Sequence, residues 1–163
     1  MEEALNLILQ KKKSKFKECK NLINWVLKSE KLGQYNEISR QKRFFRECEN
    51  HKTLLKQLLY TLKKQGKNII GYGASTKGNV ILQYCGINEK LINKIAEVNK
   101  YKFGKYTPGT NIKIVSEKKA MKNVPDYLLV LPWHFKDHII KREDKFLKKG
   151  GKLIFPLLDI EII

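Results

Sequence analysis

Between Asn68 and Tyr84 the chain reads NIIGYGASTKGNVILQY, a short apolar run followed by a glycine-rich turn and a helical pattern. The residue types in the turn suit an anion. Gly71 and Gly73 let the backbone come close to a bulky group, Ser75 and Thr76 offer hydroxyls, and Lys77 offers a compact positive charge. The first amides of a helix have no internal partners and sit at the positive end of its macrodipole, so a strand–turn–helix unit here could cradle a diphosphate. The spacing is not that of a Walker A loop: Thr76 stands where the second glycine belongs and Gly78 where Ser or Thr should be. As a dinucleotide fingerprint, G-x-G-x-x-G, the turn has Thr76 in place of the third glycine. Glu97, at the end of the next strand pattern, stands about where a ribose-binding acid would. The plainer alternative is a tight turn whose Ser75 caps a helix.

The elements that must position this turn follow from periodicity. Residues 4–10 place Leu5, Leu7 and Leu9 on one side of a short strand-like piece, and the basic run KKKSKFK comes next. Leu22, Ile23, Val26 and Leu27 fall on one face of a helix over 19–30 that ends near Gly33. A longer helix is expected over 38–65, with Phe44, Phe45, Cys48, Leu54, Leu55, Leu58, Leu59 and Leu62 at three-and-four spacing and Gly66 at its C-terminal cap. Beyond Gly66, strands are expected at 68–72, 92–98, 111–115, 126–131 and 152–156, with an alternating tail over 158–163 able to form an edge strand. Helices are expected at 75–84, 116–122 and 135–148, the second capped by Ser116. Strands alternating with helices across short loops imply a Rossmann-like three-layer α/β domain with a mostly parallel sheet, its first strand central, preceded by N-terminal helices. The expected division is an N-terminal helical segment, 1–66, and the Rossmann-like domain, 67–163.

Composition narrows the class. The chain has 163 residues, 42% of them hydrophobic and 31% charged, enough for one domain with an appendage and unlike disordered or fibrous sequences. No run of eighteen apolar residues occurs and no basic-then-apolar leader opens the chain, so a soluble, cytoplasmic protein without a membrane partner is expected. Cys19, Cys48 and Cys85 form no CxxC pair, so neither disulfides nor a metal site is expected, and all three read as small hydrophobes. The net charge of +18 raises nucleic acid as a partner, but 30 of the 34 basic residues are Lys, and they are spread evenly along the chain. Phosphate and base recognition favours the arginine fork, so the charge reads as a solvated surface, in a lysine-, asparagine- and isoleucine-rich composition of the kind an A/T-rich genome favours.

Four segments carry a more specific likeness: GYGASTKGNVILQYCGI (Gly71–Ile87), YKFGKYTPGT (Tyr101–Thr110), DYLLVLPWHFKDHIIKRE (Asp126–Glu143) and GGKLIFPLLDIEII (Gly150–Ile163). In order and spacing they resemble the C-terminal domain of S-adenosylmethionine-dependent sugar C-methyltransferases, with a weaker likeness reaching back through SEKLGQY. The resemblance implies a family enzyme of three parts: a zinc-binding module, a methyltransferase domain that binds S-adenosylmethionine, and this Rossmann-like domain. The nucleotide-linked deoxy-keto sugar is expected between the last two. It further implies proton removal beside the ketone and attack of the enolate on the sulfonium methyl, with the base drawn mainly from the middle domain. The chain departs from that plan in having neither the cysteine cluster nor a methyltransferase glycine motif ahead of its first strand.

What carries over is therefore binding rather than catalysis. The resemblance implies that Gly71, Gly73, Ala74, Ser75, Thr76, Lys77 and Asn79 hold the diphosphate or lie beside it. Pro132, Trp133 and His134 follow the most apolar strand at its carboxyl end, where open parallel sheets bind ligands. His134 could bond a sugar hydroxyl and Trp133 could stack, although a helix-start histidine bonded to backbone explains His134 as well. Tyr106, Pro108 and Gly109 would shape the rim, and His51 and His138 read as surface residues. The leading expectation is a nucleotide-sugar-binding domain, not catalytic alone and with no cofactor of its own, either a stand-alone fragment or the partner of a separately encoded methyltransferase domain. The alternatives are NAD(P)-type dinucleotide binding and a structural or assembly role.

Overall fold

A computed structural model describes residues 19–163. The strand-like piece at 4–10 and the basic run after it lie outside the described residues. Two compact units divide between Arg46 and Glu47.

In the first unit, α1 (Lys20–Leu32) forms where its apolar stripe predicts, yet none of its residues is buried. Leu22, Ile23, Val26 and Leu27 are all exposed, as is Cys19 just before the helix. The residue that turns left-handed after α1 is Gln34 (φ 54) rather than Gly33, which stays in the right-handed region. Arg40 donates to the Gly33 carbonyl and lies 4.2 Å over the Tyr35 ring, closing this turn.

The long helix α2 (Ile38–Lys64) ends as its glycine predicts. Gly66 takes φ 75, the Lys67 amide donates to Leu62 and the Gly66 amide to Lys63, a Schellman closure. From Glu47 onward α2 belongs to the second unit, because Leu55, Leu59 and Leu62 are buried in that unit's core. The compact division therefore falls inside α2, upstream of the 66/67 division expected from the sequence.

The second unit is a six-stranded sheet in the order β3-β2-β1-β4-β5-β6. Its strands are β1 (Ile69–Tyr72), β2 (Lys94–Glu97), β3 (Lys113–Ser116), β4 (Tyr127–Val130), β5 (Lys152–Phe155) and β6 (Glu161–Ile162). The first five pair in parallel, and the tail adds β6 as an antiparallel edge. Alternate residues feed opposite cores, as a strand's two-residue period requires. Ile69, Leu129 and Ile154 join α2 and α3 (Thr76–Tyr84) on one face. Ile70, Tyr72, Leu128, Val130, Leu153 and Phe155 face Ala120 of α4 (Glu117–Ala120), Ile139 of α5 (Lys136–Arg142) and Phe146 of α6 (Asp144–Lys148) on the other. This is the Rossmann-like three-layer α/β architecture with β1 central.

The single helix expected over 135–148 is instead a 3-10 turn, Trp133–Phe135, followed by α5 and α6. The break falls at Glu143, whose carboxylate accepts the Tyr72 hydroxyl at 2.6 Å. Among the described residues no helix is long and apolar enough to cross a membrane.

Candidate functional site

The strand order reverses direction beside β1, and the glycine turn lies at the carboxyl end of that strand, where doubly wound sheets bind ligands. Each part of the turn has a local cause. Gly73 has φ 75, and a Cβ there would meet the Pro132 ring at 2.8 Å. The Gly73 amide donates to the Ala96 carbonyl and the Ser75 amide to the Gly73 carbonyl, which fold the turn back on itself. Ser75 is the N-cap of α3, its hydroxyl accepting the Gly78 amide at 2.9 Å. Gly78, two residues beyond the position where a fingerprint's third glycine would stand, does that glycine's packing: a Cβ there would meet the Leu131 Cβ at 2.4 Å. The signal for it was in the sequence as a glycine one turn into α3.

Glu97, at the end of β2, turns its carboxylate onto the glycine turn. It is 6% exposed, and its Oε2 accepts the Ala74 amide at 3.0 Å and Lys102 Nζ at 3.3 Å. Its Oε1 accepts the amides of Val98 at 2.8 Å and Asn99 at 2.9 Å. Burial alone would raise its pKa, but the amides of Asn99 and Val98, with Lys102, outweigh burial and hold the carboxyl below its ordinary range. The turn's amides are thus largely committed to the protein's own groups: Ala74 to Glu97, Gly78 to Ser75, and Gly73 and Ser75 to backbone.

Two cavities flank the turn. One, of about 280 Å³, lies over the carboxyl ends of β1 and β2 and is walled by Gly73, Ala74, Ser75 and Pro132, with Glu97, Lys102, Glu117 and Arg142 as its charged groups. The other, of about 240 Å³, takes in Ala74, Ser75, Thr76, Asn79, Thr107 and Pro108, with Lys102 as its only charged wall residue among the described residues. Asn79 Oδ1 is buried there without a hydrogen-bond partner among the described residues. Lys102 belongs to both cavities and spends one donor on the Ala74 carbonyl (2.8 Å) and one on Glu97, leaving a third of its three.

Among the expected positions, Gly71, Lys77, Tyr106, Gly109, Trp133 and His134 line neither cavity. Gly71 lies inside β1, where a Cβ would meet Ile95 Cγ1 at 2.6 Å. Trp133 packs on the second core, and His134 meets Trp133 edge-on and Phe135 at a tilt, with its Nδ1 buried and unpartnered among the described residues. Tyr106 is exposed beside Lys113, while the Pro108 carbonyl accepts Gln83 Nε2 at 2.8 Å, strapping the loop to α3. Of the two histidines read as surface residues, His51 is half-buried with Nε2 unpartnered among the described residues. His138 is exposed but sits on the wall of the first cavity.

Sequence reasoning did not single out a polar cluster at that cavity's base. Tyr72 donates to Glu143, Arg142 bonds Glu117 at 2.5 Å and lies 3.6 Å from Glu143, and its guanidinium stands 5.6 Å from the Tyr72 ring centre. Burial, and then the neighbouring Glu143 carboxylate, push the Tyr72 hydroxyl far above its ordinary range, so it remains a hydrogen-bond donor. These residues come together only through the fold, since Tyr72 ends β1 and Arg142 ends α5, seventy positions apart.

A mostly parallel sheet with a glycine turn at its switch point and helices on both faces defines a Rossmann-like α/β domain. The chain belongs to the C-methyltransferase C-terminal domain family, whose model matches residues 4–157. It is also similar to C-methyltransferase NovU of Streptomyces niveus, 36% identical over 115 residues. That alignment covers 71% of this chain and 27% of the relative, so the chain spans about a quarter of the length of the curated protein it matches.

Proposed function

We propose that the sheet domain holds a nucleotide-linked deoxy-keto sugar for a C-methyltransferase and is not catalytic alone. The reading rests on family membership together with one observation: a crevice at the carboxyl ends of β1, β2 and β4, divided by the glycine turn into two differently charged cavities. The diphosphate belongs beside Thr76, Asn79 and Lys102, where Lys102 is the sole charged wall group among the described residues and its carboxylate partner, Glu97, does not line the cavity. The hydroxyl-bearing sugar belongs on the other side, against Pro132, where Glu117, Arg142 and His138 can accept and donate hydrogen bonds. Lys77, in the first turn of α3, adds positive charge at the rim.

S-adenosylmethionine would supply the methyl group of the complete enzyme. Glu97, the acid best placed for a ribose diol, already accepts from four donors, so the described residues do not fit that cofactor. The methyltransferase part would be supplied elsewhere in the same polypeptide or by a separate protein. A cytoplasmic location goes with this reading, and Cys85, a buried free thiol, suits a reducing compartment.

Calorimetric titration with dTDP-, GDP- and UDP-linked sugars tests the proposal. At least one is expected to bind, and Lys102→Ala should weaken it about tenfold, the loss of one charge-assisted contact. Absence of heat with all three, up to about millimolar ligand, would remove the reading.

A further inference from the structure

The residue at the end of β2 distinguishes this crevice from one that takes a dinucleotide. A carboxylate in that position ordinarily reaches outward to a ribose diol. Here it turns inward. Glu97 is almost fully buried, and its two oxygens receive Ala74 N–H, Lys102 Nζ, Val98 N–H and Asn99 N–H, all within 3.3 Å. A carboxylate offers about four acceptor positions, so none is left for a sugar hydroxyl. The negative charge also sits on the amide that a pyrophosphate crossing the turn would need. A second amide, that of Gly78, is closed by Ser75.

We propose that Glu97 is a built-in anion: it occupies the turn in place of a pyrophosphate, sets the crevice against dinucleotides, and leaves Lys102 as the group that meets a ligand's phosphate. The exclusion stands on the geometry of Glu97 alone, whereas the role of Lys102 rests on the nucleotide-sugar reading. The groups facing Glu97 come from three segments: the glycine turn through Ala74, the start of the following loop through Val98 and Asn99, and the 3-10 turn Lys100–Lys102 through Lys102. Because all four are donors, the carboxylate is electrostatically satisfied where it is, and an incoming phosphate would have to displace it.

The test uses the full chain as wild type, Glu97→Ala, Glu97→Gln and Lys102→Ala, with inorganic pyrophosphate and NADH as probes. Amide resonances of Gly73 and Ala74 are followed by NMR, and NADH by fluorescence quenching. In the wild type, up to about millimolar ligand, any saturable pyrophosphate shift of the Ala74 amide should vanish in Lys102→Ala, since Lys102 and Ala74 wall the same cavity, and NADH should show no saturable quenching. In Glu97→Ala the Ala74 amide should shift saturably, with pyrophosphate bound at least about tenfold more tightly than by wild type. Glu97→Gln, which removes the charge but keeps an acceptor for Val98 and Asn99, should gain less. A saturable pyrophosphate shift at Ala74 that survives Lys102→Ala, or saturable quenching of NADH by the wild type, would overturn the proposal, as would a folded Glu97→Ala chain with no gain. If the variants do not fold, the wild-type measurements decide. Sugar-nucleotide titration of the wild type is independent of these results, so either idea can fail while the other stands.

Discussion

Gly78→Ala tests whether α3 sits against the sheet as closely as the turn requires. In the interior of an ordinary helix this change stabilises by about 1 kcal/mol. Here the added Cβ would lie 2.4 Å from the Leu131 Cβ, 2.9 Å from Ser75 Oγ and 3.1 Å from the Leu131 Cα. Leu131 is buried, so the obstruction is not a loose side-chain end and α3 must move away. Overpacking of this kind costs about 1–3 kcal/mol, and the overlap with a backbone atom places it at the upper end. Moving α3 also spoils the Ser75 cap on the Gly78 amide, another contribution of about 1 kcal/mol. The balance is a net loss of about 3 kcal/mol, or roughly 10–15 °C in melting temperature for a unit of this size. Thermal and urea unfolding followed by far-ultraviolet circular dichroism would read it. A variant as stable as the wild type, or more stable, would mean that helix propensity outweighs contact, and the close approach of α3 to β4 would be refuted.

Ser75→Ala should cost about 1 kcal/mol by leaving the Gly78 amide uncapped, measured as a lower urea midpoint; an unchanged midpoint would deny Ser75 its capping role. Glu97 gives a pH dependence whose sign follows from its lowered pKa. The folded carboxyl holds its proton less tightly than the ordinary value of 4.5, so its stabilisation is present above that pH and is lost as pH falls through the folded value. The stability advantage of wild type over Glu97→Gln, taken from urea midpoints between pH 7 and 3.5, should therefore shrink on the acid side; a difference that stays constant would contradict it.

The alternating pattern was legible because its causes are local. The apolar runs at Ile69–Tyr72 and Tyr127–Val130 are strands buried on both faces, and Gly66 and Gly86 end their helices through a positive φ. The break at Glu143 was not legible, because it coincides with a bond to Tyr72 that exists only once β1 and α5 are side by side. The same holds for the site. Ser75 as a cap and Pro132 as a wall follow from their places at element ends. His134 and Trp133 stand at the same sheet edge, but the 3-10 turn carries them away from the cavities and presents Phe135 instead. Sequence spacing put Glu97 near the turn correctly, but could not say whether the carboxylate faces a ligand or the turn's own amide.

That last distinction bears on how the chain's charge should be understood. A net charge of +18 favours anionic ligands at long range, and lysines spread over the whole sequence supply it without specifying where an anion stops. The crevice is different, because its charges are paired: Lys102 with Glu97, and Arg142 with Glu117. In the first cavity two carboxylates offset the two cations, which suits a neutral, hydroxyl-rich group. In the second, Lys102 is the charged wall group among the described residues, its partner Glu97 lying outside the lining, which suits a phosphate. Lys102 serves both because Glu97 draws its ammonium toward the turn between the cavities. Removing Glu97 would therefore do two things at once, opening the turn's amides and releasing the lysine that separates the two environments. Selectivity in such a crevice comes from where a single buried carboxylate is pinned, and far less from how many lysines the chain carries.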